Sequence, residues 1–164
     1  MPKDFSKLIV NQDIETLYGE YAQTHDSELG LILIDMAWEL LNDKIVAFEP
    51  ISCGEKREQF VLRVLYEKAL YDFEYDHHAN AQAIFEILSV ACLDVDFLKA
   101  MQMHLLALIE AVDYKTFIDK WVASTQSETF YIGAFTQDAL AQFKAGQTKL
   151  DTALEKNRKL FTKG

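Results

Sequence analysis

Basic residues are missing from two long stretches of this chain, and that absence says more than any motif. No Lys or Arg lies between Lys7 and Lys44, where eight acids fall: Asp13, Glu15, Glu20, Asp26, Glu28, Asp35, Glu39 and Asp43. None lies between Lys68 and Lys99, against six acids: Asp72, Glu74, Asp76, Glu86, Asp94 and Asp96. Such stretches repel nucleic acid and anionic lipid, which argues against direct binding of either. Cysteine is scarce too. Cys53 and Cys92 are spaced neither as a metal knuckle nor as a CxxC redox pair, and so few cysteines fit a reducing cytosol at least as well as a bridge. The six glycines are scattered, and Gly54-Glu55-Lys56 lacks the preceding glycine of a phosphate loop. No serine elbow, HExxH or EF-hand loop appears, so no hydrolase, kinase or dehydrogenase is supported. The opening Met-Pro-Lys-Asp-Phe-Ser has no basic region followed by an apolar run, the mark of a signal peptide, and a cytoplasmic location is expected.

What is present is helical periodicity. Over 164 residues with 50% apolar content, one domain spanning 1–164 and able to bury its own core is expected. The most apolar stretch is Leu29 to Leu41, LGLILIDMAWELL, interrupted only by Asp35 and Glu39, four apart on one helical face. A helix apolar nearly all round normally sits at the centre of a core. It is too short, and too charged at its middle, to cross a bilayer, which takes about 20 apolar residues. Asp26 or Ser27 caps this helix, which is expected to end near Asn42 and Asp43.

Around it, Asn11 reads as the cap of a helix carrying Ile14, Leu17, Tyr18 and Tyr21, after an ambiguous apolar segment at Phe5, Leu8, Ile9 and Val10. Ile45 to Ile51, with Pro50, reads as a loop. Ser52-Cys53-Gly54-Glu55 fits a capping box ahead of a stripe of Phe60, Val61, Val64, Leu65 and Ala69. Asp76, then Asp94 or Asp96, then Asp113 start further helices. Thr136 caps a last one that runs through Gly146 towards Phe161. The fold class is all-α: an irregular bundle, or a short array of helical hairpins, of about seven helices with no confident strand.

Few side chains suggest chemistry. Glu74 with His77 makes one half of a Glu-x-x-His metal site, but no second half exists, so no metal or cofactor is expected. His104 lies on the apolar line of Phe97, Met101 and Leu108, the position of a hydrogen-bonded core histidine. Cys92, between Ala91 and Leu93, reads as small core filler. Cys53 sits at a helix N-terminus, where a thiol is acidified.

The unusual stretch is Tyr71-Asp72-Phe73-Glu74-Tyr75-Asp76, alternating aromatic and acid. As a surface it offers stiff aromatic contact area flanked by carboxylates, suited to Lys and Arg of a partner, and Asp35 and Glu39 can enlarge it. The bland alternative turns Tyr71 and Tyr75 into the core and the acids into water.

With a net charge of −10, the favoured function is a non-enzymatic acidic binding protein that occludes a basic, nucleic-acid-handling partner. In charge profile alone it is similar to the immunity proteins that neutralise bacterial nuclease toxins, and to DNA mimics; no motif carries that resemblance. The competing readings are a helical-bundle metal or ligand enzyme using Glu74, His77, His78 and His104, and a scaffold whose basic last helix binds another protein.

Overall fold

The computed structural model describes residues 13–126 and 128–161. Eight α-helices, with a π-helical and a 3-10 stretch, make the described residues 73% helical, and among them a two-stranded sheet is the only strand pairing beyond one isolated bridge, so the fold is all-α and bundle-like. The elements are α1 (Ile14–Thr24), α2 (Ser27–Val46), α3 (Lys56–Glu74), α4 (His78–Leu88), α5 (Val95–Ile109), α6 (Tyr114–Thr116), α7 (Gln137–Ala145) and α8 (Gln147–Arg158). A π-helical stretch, Phe117–Trp121, continues α6, and a 3-10 turn, Lys159–Phe161, follows α8. Val122–Ser124 (β1) and Ala134–Phe135 (β2) pair antiparallel, Val122 opposite Phe135.

Local chemistry sets most helix starts. An N-cap oxygen that accepts an amide three residues on satisfies one of the donors a helix leaves open. Asp26 accepts from the Leu29 amide at 3.0 Å, Asp94 from Phe97 at 2.9 Å, Asp113 from Thr116 at 2.7 Å and Thr136 from Ala139 at 3.2 Å. Elsewhere the caps differ from expectation. Asn11 and the apolar segment before it lie outside the described residues; Asp13 caps α1, accepting from the Thr16 amide at 3.1 Å. The expected capping box at Ser52 is displaced. Glu55 is the cap of α3, accepting from the Glu58 amide at 2.7 Å, while Glu58 reaches back to the Ser52 amide at 3.0 Å. Asp76 caps nothing: its backbone is left-handed (φ 63°), ending the turn after α3, and His77 occupies the N-cap of α4 without a side-chain capping bond.

Helices α1 to α5 pack on their sequence neighbours, and α8 returns across α4 and α5. One hydrophobic core runs from Ile14 to Leu154. Its most enclosed element is α5, where six consecutive residues, Met103 to Leu108, are all buried. The expected centre, Leu29–Leu41, is instead an edge helix. Within α2 only Leu29, Leu33, Met36, Ala37 and Leu41 are buried, a single stripe facing α1 and α3, and Leu31 is 65% exposed. The helix also runs on to Val46, past Asn42 and Asp43. The last helix is broken as well. Gly146 separates α7 from α8, and a Cβ there would lie 2.7 and 2.8 Å from the two Leu106 methyls, so a larger residue would have to push Leu106 aside.

Candidate functional site

The aromatic-acid block forms the last turns of α3, and helical geometry explains its pattern. Each residue advances about 100°, so positions four apart share a side and positions two apart nearly oppose. Tyr71 and Tyr75 therefore point outward together, 52% and 56% exposed, their rings in contact with centroids 4.5 Å apart at a 37° tilt. Phe73 points inward against Tyr114 and Phe117, at 5.5 and 5.4 Å. Glu74 and Asp76 are exposed.

Asp72 and Phe73 are corrections to the expected surface, since both are fully buried. Asp72 Oδ1 accepts from Lys68 Nζ at 2.7 Å, one helical turn back, and lies 3.3 Å from His77 Nδ1. Its Oδ2 has no hydrogen-bond partner. The alternative in which the tyrosines face the core and the acids face water is thus inverted at Tyr71, Asp72 and Tyr75. Asp35 and Glu39 are exposed on α2, and Asp35 shares a helical face with Glu28 and Leu31.

Beside Tyr71 lies a groove of about 320 Å³ between α1, α2 and α3, lined by Tyr18, Tyr21, Leu31, Ile34 and Lys68 among others. Its floor is built by polar pairing beneath aromatic rings. The Tyr18 hydroxyl donates to Glu67 Oε1 at 2.6 Å, and Arg63 Nε donates to the same oxygen at 3.3 Å while its guanidinium lies 4.7 Å from the Tyr18 ring centre. Burial first, and then the Glu67 carboxylate, push the Tyr18 phenol up to about 12. Tyr21 rests on Gly30, whose missing Cβ would sit 3.1 Å from the ring. Sequence reasoning missed this groove; a glycine inside an otherwise apolar helix was the available signal for a close approach.

The histidines do not converge. His77 pairs with Asp72, His78 lies 3.4 Å from Asp76, and His104 is enclosed in the core. Among the described residues no group of three or more His, Cys, Asp or Glu could hold a metal ion. His104 completes a buried chain: Nδ1 donates to the Ala100 carbonyl at 2.6 Å, which leaves Nε2 to accept from the Tyr66 hydroxyl at 3.0 Å, and that oxygen accepts from the Ile132 amide at 3.0 Å. Every polar atom of this Ala100–His104–Tyr66–Ile132 relay is satisfied, as core polar groups require. Burial pushes His104 down to about 4 and raises Tyr66 above the ordinary phenol value.

Cys92 fills the core as expected, 2% exposed, but Cys53 departs from expectation. Cys53 and Cys92 lie side by side, Sγ to Sγ 3.8 Å, although 39 residues separate them. The Cys53 thiol is raised rather than acidified, because it gives its proton to a hydrogen bond with Cys92 and because it is half-buried. Cys92 is the more acidic of the pair, held down by the hydrogen bond from the Cys53 thiol.

These features define a class and no further: an all-α bundle with an exposed aromatic pair beside an apolar groove, and, among the described residues, no helix long and apolar enough to cross a membrane. No family model, curated protein or solved structure matches the chain.

Proposed function

We propose that this chain is a non-enzymatic binding protein that captures a basic protein through Tyr71, Tyr75 and the adjoining groove. The observation that carries the reading is the exposed Tyr71–Tyr75 pair, continuous through Tyr71 with a groove edged by the exposed Leu31. Large apolar side chains gathered at one place on a surface mark interaction sites, whereas single exposed ones do not. Exposed charge gives the sign of the partner. Glu28 and Asp35 share a helical face with Leu31, and they and Glu74 are exposed with no ion-pair partner among the described residues, while Lys68, which lines the groove, and Arg63 are already held by Asp72 and Glu67. An arginine or lysine arriving here meets carboxylates and tyrosine faces together, the arrangement that favours fast association and slow release. A basic, nucleic-acid-handling protein met in the cytoplasm, of the kind immunity proteins neutralise, fits that chemistry.

The test is co-purification from native extract at about physiological salt, where unspecific surface attraction is largely screened, comparing wild type with the double variant Tyr71→Ala/Tyr75→Ala. Exposed positions of this kind change stability by only about 0.5 kcal/mol, so the variant folds. Truncating an interface anchor costs about 2 kcal/mol or more, a loss of about 30-fold in affinity for each tyrosine. A basic protein retained by wild type and lost by the variant is the expected result. Retention by both, or by neither at that salt, defeats the reading.

A further inference from the structure

We infer that Cys53 and Cys92 form a reversible internal disulfide by exchange with small disulfides of the glutathione class, a covalent clasp between the α2–α3 and α4–α5 connections. The backbone brings the two sulfurs together. The Ile51 amide donates to the Ala91 carbonyl at 2.7 Å, and Ile51 pairs with Cys92 in an isolated parallel bridge, so the two connections run side by side. Both cysteines lie outside the helices, Cys53 in the turn before α3 and Cys92 in the bend before α5. At 3.8 Å the sulfurs are already in contact, and closing to the bond length of about 2.05 Å needs a shift of under about 2 Å shared by two side chains.

Access fixes the order of events. Cys53 is half-buried and lines an open cleft of about 370 Å³ together with Gln59, Asp94, Glu128 and Tyr131, whereas Cys92 is 2% exposed. An incoming disulfide, RSSR, therefore meets Cys53. Cys53 gives up its proton to water, its sulfur attacks one sulfur of RSSR, and the RSSR bond breaks; the departing RS⁻ leaves a mixed disulfide on Cys53. Cys92 then attacks Cys53 Sγ and displaces the second RS⁻. The two leaving groups take up the two thiol protons. The protein loses two electrons and two protons, and RSSR is reduced to two RSH. The greater acidity of Cys92 suits it to this resolving step. The clasp lies at the N-terminal end of α3 and the tyrosine pair at its C-terminal end, about 25 Å away at 1.5 Å per residue, so this inference stands apart from the proposed function.

The chain holds only two cysteines, so a thiol count reads the reaction directly. Full-length folded protein is incubated with excess oxidised glutathione, quenched with a maleimide and weighed intact by mass spectrometry, before and after reduction. Expected is a monomer lighter by two hydrogen atoms with no maleimide bound, returning to two maleimides after reduction. Trypsin then yields the segment Ile45–Lys56 joined to Ala69–Lys99. Cys92→Ser, or Cys92→Ala if the serine variant is unstable, accumulates glutathione on Cys53 and cannot release it. Wild type that halts at a glutathione adduct, that couples two chains through Cys53, or that keeps both thiols while folded overturns the inference.

Discussion

Replacing His104 with glutamine removes a defined part of the protein's acid sensitivity, and the size of that part follows from how the ring is enclosed. Phe85 and Phe117 each lie 4.9 Å from the imidazole, centre to centre, and both nitrogens are committed to neutral hydrogen bonds. Burial pushes the folded pKa down to about 4, against an ordinary value of 6.5 that the unfolded chain keeps. Above pH 6.5 neither state is protonated, so His104 adds no pH dependence. Between 6.5 and 4 only the unfolded state takes up the proton, and acid draws the equilibrium towards it. Below 4 both states are protonated and the effect stops growing. A gap of about 2.5 pH units at about 1.4 kcal/mol each gives a loss of about 3 kcal/mol across that window, a large share of the ~5–15 kcal/mol of a typical domain. Urea unfolding at steps from pH 7 to pH 4, on wild type and His104→Gln, measures it. The carboxylates titrate in both proteins and cancel in the difference. The variant is expected to lose about 3 kcal/mol less than wild type over the window, whatever its stability at pH 7. Parallel curves for the two proteins would refute the reasoning.

Tyr66→Phe leaves the Ile132 amide and His104 Nε2 without partners in the core. At roughly 1–3 kcal/mol for each orphaned group, a loss of about 2–6 kcal/mol is expected in urea unfolding at pH 7, and a loss under about 1 kcal/mol would show that these groups can re-pair. Gly146→Ala drives a methyl to 2.7 Å from Leu106 and 3.1 Å from the Gln142 carbonyl. Overpacking at about 1–3 kcal/mol outweighs the entropy gain of about 0.4–1 kcal/mol, for a net loss of about 1–2 kcal/mol. Adding Leu106→Ala should make the two costs less than additive; strict additivity would show that they do not collide.

The parts of the fold legible in the sequence were those decided within one turn of chain. Asp26, Asp94, Asp113 and Thr136 cap helices because their side chains reach an amide three residues away, whatever surrounds them. His104 was legible because its neighbours on the apolar line fixed its side of the helix. What failed depended on tertiary surroundings. The apolar coverage of Leu29–Leu41 suggested a central strut, yet no neighbour covers Leu31, and that exposed side chain became part of the groove. In the Tyr71–Asp76 block, alternation by itself did not say which aromatic points inward; the position of Phe73 opposite Tyr114 and Phe117 decides it, and carries Asp72 into the core with it. The contact between Cys53 and Cys92 joins two connections that only the packing of α2 to α5 brings together.

Gly146 also bears on how an architecture of this kind can be extended. A run of helical hairpins grows by adding a unit whose apolar side docks on the exposed side of the last one, and such arrays end where a differently built element takes that docking surface. Here the turn at Gly146 folds α8 back so that Leu150 and Leu154 are buried where it crosses α4 and α5. That surface is consequently no longer free to receive another hairpin, and duplicating a unit such as α4–α5 would have to displace α8 before the copy could stack. The glycine thus sits where the chain turns so that α8 closes over apolar side chains of α4 and α5.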